Sequence, residues 1–318
     1  MLAQSLDKLD EQPTWQACPR AQWEDLTRQA GKTSLEQSWA YGEAAAARHG
    51  QTIERHLLSV GGTPLALVQA FRKRYWRLGV TRILRGPVWL IEPLTDPRSA
   101  AVCASIVWRY RGSRMDFLSW LPELPDDPRS AALLEAQGLR RTVTGYASIW
   151  LDLRQSQEAL LAGLNGKWRN AVQRAQRKGL NVAVDNKDRQ RQAALLLYDT
   201  FRRKKRFVGT PGDFIAAIAA ADPQAVLSLT ARHDGKLAAG VILVRHGVSA
   251  TYLASWSSLT GHTAQAHNLL LWRGIEALQA GGTQWLDLGG LNTESQQGLA
   301  RFKLGLGGEV FTLTGSYL

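Results

Sequence analysis

Cysteine is nearly absent: Cys18 and Cys103 are the only two in 318 residues, and they stand far apart without metal-ligand spacing. A disulfide framework and a cysteine-built metal centre are excluded, and two structural thiols in a reducing compartment are expected. No apolar run reaches the roughly 18 residues that a membrane-crossing helix needs. From Met1 to Pro19 there are early acidic residues and no apolar stretch, so no signal peptide and a cytoplasmic location are expected. The six histidines (His49, His56, His233, His246, His262, His267) show no HExxH or similar pattern, and no metal is expected. A Walker-type loop and a defensible Ser/His/Asp order are also missing.

What is present is an ample core and an uneven charge. Apolar residues make up 45% of the chain and the net charge is +12. Between Asn165 and Arg206 there are 13 Lys/Arg against 3 Asp, so this one segment carries +10. Such a concentration points to an anionic partner, with a solvated charged face as the alternative.

Two halves follow one plan. In the first, strands over Ile53–Val60 and Pro64–Phe71 flank Gly61-Gly62; in the second, strands over Ala225–Ala231 and Leu237–Arg245 flank His233-Asp234-Gly235. Gly-Gly and Asp-Gly are hairpin signals. A helix follows in each half, about Pro97–Arg111 and Thr263–Ala280, and each leads to a short strand, Met115–Trp120 and Gln284–Leu288. The second helix has a core face of Leu269, Trp272, Ile275 and Leu278. Two mixed α/β domains are expected, 1–150 and 151–318. A basic helix, Gln157–Lys178, opens the second, with an apolar stripe of Leu160, Leu161, Leu164, Trp168, Val172 and Ala175; Gly179 ends it and Leu180–Val184 resumes as a strand.

The tail is the most informative stretch. Trp285-Leu286-Asp287-Leu288-Gly289-Gly290-Leu291-Asn292 is a short β-type run ending in an aspartate and two glycines. Gly298-Leu299-Ala300-Arg301-Phe302-Lys303-Leu304-Gly305-Leu306-Gly307-Gly308 sets one lysine between an aromatic residue and a glycine cluster. Glycines let backbone N–H groups approach a ligand, and a lysine beside them can offset charge on a phosphate or a tetrahedral intermediate. The alternative is a strand, a surface loop and a glycine-rich hairpin.

The run Lys167-Trp168-Arg169-Asn170-Ala171-Val172-Gln173-Arg174-Ala175-Gln176-Arg177-Lys178-Gly179 resembles the K-x-R-x-x-(I/V)-x-x-A-x-(K/R)-x-G helix of the FemABX-like peptidyltransferases. The tail is similar to their closing GG…GL…FK…FGG segment. Ala239–Leu243 and Thr251–Ser255 resemble their AAG…(Y/T)YL…S strand pair, and Gln37–Glu43 resembles their N-terminal entry. The resemblance implies an α/β (α+β) fold of two tandem GNAT-like (N-acetyltransferase-like) domains with mixed sheets flanked by helices. No sustained heptad run occurs, so the compact type without a coiled-coil arm is expected. It also implies an aminoacyltransferase that joins an amino acid from aminoacyl-tRNA to an amine of a nucleotide- or lipid-linked peptidoglycan precursor.

By motif position, the resemblance assigns transition-state stabilisation to Lys303, next to Phe302. Asp287 can take a proton from the attacking amine, or cap the turn after it. Tyr252 faces either the cleft or the core. Lys167 and Arg169 are placed to grip phosphate. Arg203 and Arg206 lie where the family holds a phosphate-binding arginine, and an arginine would bind a diphosphate through two hydrogen bonds. Gly289 and Gly290 complete the expected substrate-binding set.

Two other readings stand beside this one. An acyl-CoA N-acyltransferase, with acetyl-CoA or another acyl-CoA as donor, would use the same fold. Against it, Ser258–Ala264 lacks the Q/R-x-x-G-x-G/A spacing such an enzyme wants before its helix. A non-enzymatic binder of nucleic acid or an anionic surface would use the +10 segment alone.

Overall fold

The computed structural model describes residues 12–185, 188–291 and 296–318. Lys187 of the basic segment, Asn292 and the stretch through Glu11 lie outside the described residues. The chain divides into two compact units, 1–146 with 312–318, and 147–311.

Unit 1 contains β1 (Thr14–Ala17), α1 (Arg20–Ala30), α2 (Trp39–His49), β2 (Thr52–Val60), β3 (Thr63–Tyr75), β4 (Leu78–Leu84), β5 (Val88–Trp89), α3 (Arg98–Tyr110), β6 (Asp116–Leu121), α4 (Pro128–Glu135) and β7 (Arg141–Val143). Its sheet runs β1-β2-β3-β4-β6, then the C-terminal strand Ser316–Tyr317, then β7. Gly61 and Gly62, at φ 54° and 77°, make the β2–β3 turn, a conformation that glycine adopts without a Cβ penalty. Leu58, Leu65, Ile83, Ile106, Leu118 and Trp120 form the core under α3.

Unit 2 contains β8 (Ala147–Asp152), α5 (Gln157–Gly163), α6 (Gly166–Arg177), β9 (Asn181–Asp185), α7 (Asp188–Lys205), α8 (Gly212–Ala221), β10 (Val226–His233), β11 (Lys236–His246), β12 (Ser249–Ser257), α9 (Leu259–Thr263), α10 (Ala266–Ala280), β13 (Trp285–Asp287), α11 (Gln297–Leu304) and β14 (Glu309–Thr312). The sheet order is β14-β8-β13-β12-β11-β10-β9.

The repeated plan is visible in the pairing. In unit 1, β4 leads through α3 to β6, which lies parallel to β4. In unit 2, β12 leads through α10 to β13, which lies parallel to β12. The other pairs recorded in both sheets are antiparallel. This is the mixed α/β architecture that the hairpin–helix–strand repeat implied.

Three boundaries can be set beside those expected. The two units meet in the chain at 146/147, close to the expected 150. Residues 312–318 belong to unit 1, and Ser316–Tyr317 complete its sheet, with Tyr317 paired to Trp120 and Ser316 to Val143. The basic helix is two helices, broken at Leu164-Asn165, where the Asn165 side chain accepts the Lys167 N–H at 3.0 Å and restarts the chain as a capped α6.

Candidate active site

The site is built where two neighbouring strands part. β12 and β13 pair only from Ser249↔Trp285 to Thr251↔Asp287. Beyond that point β12 continues to Ser257 paired with β11 but not with β13, and its register against β11 shifts between Ile242 and Leu243. The chain after β13 stays with β8, through Leu288 N–H to Ile149 O and Leu291 N–H to Ala147 O. The segment 288–291 therefore passes Tyr252 without pairing to it, leaving room there for the Lys303 side chain.

Asp287 ends β13 with no exposed surface. Its Oδ1 accepts the Gly289 N–H at 2.8 Å and lies in hydrogen-bond contact with Ser148 Oγ. Ser148 Oγ also lies 2.9 Å from the Gly289 carbonyl, so one buried hydroxyl serves the aspartate and the turn together. Gly289 sits at φ 72°, and a Cβ there would stand 2.9 Å from the Tyr252 carbonyl and 3.5 Å from Lys303 Nζ. Only glycine fits that position, for backbone conformation and for space.

Lys303 comes from α11 and is 5% exposed. Its Nζ donates to the Gly290 carbonyl at 2.8 Å and lies 5.8 Å from the centre of the Tyr252 ring. Burial lowers its pKa from the ordinary lysine value to about 8, and the Asp287 carboxylate opposes that shift. The group remains largely an ammonium at neutral pH but titrates close above it. Tyr252 is a core residue whose hydroxyl donates to Ser255 Oγ at 2.6 Å; burial pushes its pKa up to about 12, so it stays neutral.

α11 is fixed by α6. The Trp168 indole N–H donates to the Phe302 carbonyl at 3.1 Å, and the two rings lie 5.6 Å apart. Trp168 sits on the buried stripe of α6 with Ala171, Val172 and Ala175. The His267 ring also lies near Phe302, 6.4 Å between centres, and its Nε2 lies 2.9 Å from the Trp256 carbonyl. Burial lowers the pKa of His267, so the ring is a neutral Nε2–H donor to that carbonyl. After α11, Gly307 and Gly308 at φ 77° and 90° turn the chain into β14, with Gly308 against the Trp150 carbonyl.

The structure thus brings Asp287, Gly289, Gly290, Tyr252, Phe302 and Lys303 into one cluster. The basic residues lie elsewhere on the unit. Lys167 is exposed in the first turn of α6, and half-buried Arg169 donates to Leu164 O at 3.3 Å. Arg203 and Arg206 are exposed at the C-terminal end of α7, where Arg203 Nε donates to Asp199 O at 3.3 Å. Ser148 and His267 complete the cluster's surroundings. Neither was singled out as functional in the sequence: Ser148 lies inside an unremarkable strand, and only its register opposite β13 gives it meaning. Among the described residues no group of His, Cys, Asp and Glu is arranged to hold a metal.

Residues 166–308 match the model of the acetyltransferase (GNAT) domain family. The matched stretch lies within unit 2. The solved structure of FemX superposes with a TM-score of 0.81 at 13% identity, covering 96% of each chain. L-PGS from Bacillus licheniformis superposes at 0.55 with 11% identity, over 95% of this chain and 91% of that one. A tandem GNAT protein from the clavulanic acid biosynthesis pathway gives 0.51 at 14% identity, over 93% of both. No curated protein matches the chain in sequence. At these identities the likeness is one of fold: the chain has the FemX-like, tandem GNAT architecture. Among the described residues no helix is long and apolar enough to cross a membrane.

Proposed function

We propose that the chain is an aminoacyltransferase that moves an amino acid from aminoacyl-tRNA to an amine of a nucleotide- or lipid-linked peptidoglycan precursor. The observation that carries this reading is the buried Lys303 ammonium, held on the Gly290 carbonyl beside the Tyr252 ring where β12 and the 288–291 turn part. When an amine attacks an ester carbonyl, negative charge grows on the carbonyl oxygen and then on the leaving ribose oxygen. A pre-placed cation in a water-poor site stabilises that charge without having to reorganise. Asp287 and Ser148 hold the turn that carries Gly290, and so fix where the ammonium sits. The exposed Lys167, Arg203 and Arg206 offer positive charge for phosphates of the donor or acceptor. No bound metal or cofactor enters this scheme.

A second reading, an acyl-CoA-dependent N-acyltransferase, is favoured by the match to the acetyltransferase domain. The segment before α10 speaks against it. It folds as the short helix α9, whose Gly261 and His262 N–H groups donate to Ser258 and whose Ala264 N–H donates to Thr260 O. Those N–H groups are used inside the protein rather than presented to a diphosphate.

Donor choice tests the proposal. Purified protein is offered tRNA charged with labelled amino acids, or labelled acetyl-CoA, against amines that include nucleotide-linked muropeptides. Transfer from tRNA is expected. Transfer from acetyl-CoA alone would move the protein to the second class.

A further inference from the structure

The two-residue turn Trp76-Arg77 joins β3 to β4 in unit 1, with Tyr75 paired to Leu78. Trp76 sits at φ 55°, a left-handed conformation in which a bulky side chain is strained and a glycine is at ease. Its indole is 93% exposed and so gains almost nothing from packing in return. Strain kept at an exposed aromatic points to a use outside the chain.

The surroundings are of one kind. Tyr75, Leu78, Met115 and Phe117 are all exposed. The register Tyr75↔Leu78, Lys73↔Val80 and Val80↔Phe117 sets Tyr75, Leu78 and Phe117 on one face of the sheet. Met115 lies beside them, its carbonyl accepting the Gly79 N–H. Arg74, Arg77, Arg82 and Arg114 are exposed around this patch. The guanidinium of Arg77 stands 5.7 Å from the Trp76 ring, and the Lys73 ammonium 5.3 Å from the Tyr75 ring. Two acids of this sheet, Asp116 and Glu54, are half-buried and both face Arg72, at 3.8 and 3.2 Å.

We propose that this hairpin docks unit 1 onto an anionic lipid surface. Trp and Tyr favour the boundary between water and acyl chains, and arginines around them are drawn to anionic headgroups. Leu78 and Met115 decide between a lipid and a nucleic acid: aliphatic side chains gain from an acyl layer and offer no ring for a base to stack on. The contact is peripheral, a tip and a sheet face laid on the surface. It is independent of the transfer chemistry assigned to unit 2.

The test is co-sedimentation of the full chain with vesicles of phosphatidylcholine, alone or with about one-third phosphatidylglycerol. Binding is expected only with phosphatidylglycerol. Arg74→Ser with Arg77→Ser should weaken it on the order of tenfold or more. Trp76→Gly should weaken it as well while keeping the fold, because glycine suits that φ, and should leave transfer to a soluble acceptor unchanged. Equal binding to both vesicles, or phosphatidylglycerol binding unaffected by these substitutions, would overturn the proposal. So would loss of tRNA binding in the variants without any vesicle binding, which would make the hairpin a nucleic-acid surface.

Discussion

Lys303→Ala is expected to lower kcat by about 10²–10³, the loss seen when one pre-placed donor to a developing oxyanion is removed. The fold should survive. Burial disfavours the ammonium, so between about pH 8 and the ordinary lysine pKa the native chain binds fewer protons than the unfolded one. This group therefore weighs against the native state below about pH 8, and the penalty fades as pH rises. Lys303→Met, which keeps the stem and removes the charge, should be at least as stable as the parent at neutral pH while losing the same rate. The Gly290 carbonyl it leaves behind is exposed and can turn to water. A Lys303→Met variant that turns over normally would remove the lysine from the chemistry, and one that fails to fold would mark it as structural.

Gly289→Ala should be nearly as damaging, by a different route. The residue needs φ 72°, which costs a non-glycine residue about 1–2 kcal/mol. The added Cβ would press on the Tyr252 backbone carbonyl at 2.9 Å and crowd Lys303 Nζ at 3.5 Å. The carbonyl belongs to β12 and has little room to yield, so the 288–291 turn must shift and carry the Gly290 carbonyl with it. Small displacements of a positioned group are costly, and kcat should fall on the order of 10-fold to 100-fold, with a lower melting temperature. Gly62→Ala is the control: its φ is 77° with nothing within 4 Å, so it should share the backbone penalty without the loss of rate. Equal effects at the two glycines would show that the Gly289 defect is one of stability alone.

Much of this architecture is legible in the sequence, for local reasons. Gly61-Gly62 and Asp234-Gly235 name their hairpins because the turn needs positive φ, and Asp234 and Gly235 adopt it at 49° and 74°. The core face of α10 follows from the spacing of Leu269, Trp272, Ile275 and Leu278, all buried. What is not legible depends on contacts distant in sequence. Lys303 rides on α11, a helix hidden among Gly298, Gly305, Gly307 and Gly308, which read as a loop; it forms because Trp168 bonds the Phe302 carbonyl and the chain folds back under α6. Ser148 has no local signal, because its role arises only when β8 lies beside β13, 139 residues from Asp287. The return of 312–318 to unit 1 is equally silent, since Ser316 and Tyr317 make a strand too short to show a period. For the site itself, the sequence singled out Asp287, Gly289, Gly290, Phe302, Lys303 and Tyr252 by motif and composition; the structure adds that they meet where β12 and β13 part.

The most direct measurement is the pH dependence of kcat/KM for aminoacyl transfer, in the parent chain and in Lys303→Ala. The profile reports groups of the free enzyme. The account predicts an alkaline limb near pH 8 in the parent, as the Lys303 ammonium is lost, and no such limb in the variant. A parent whose rate keeps rising through this range, or a variant that retains the limb, would contradict the claim that this buried ammonium stabilises the reaction.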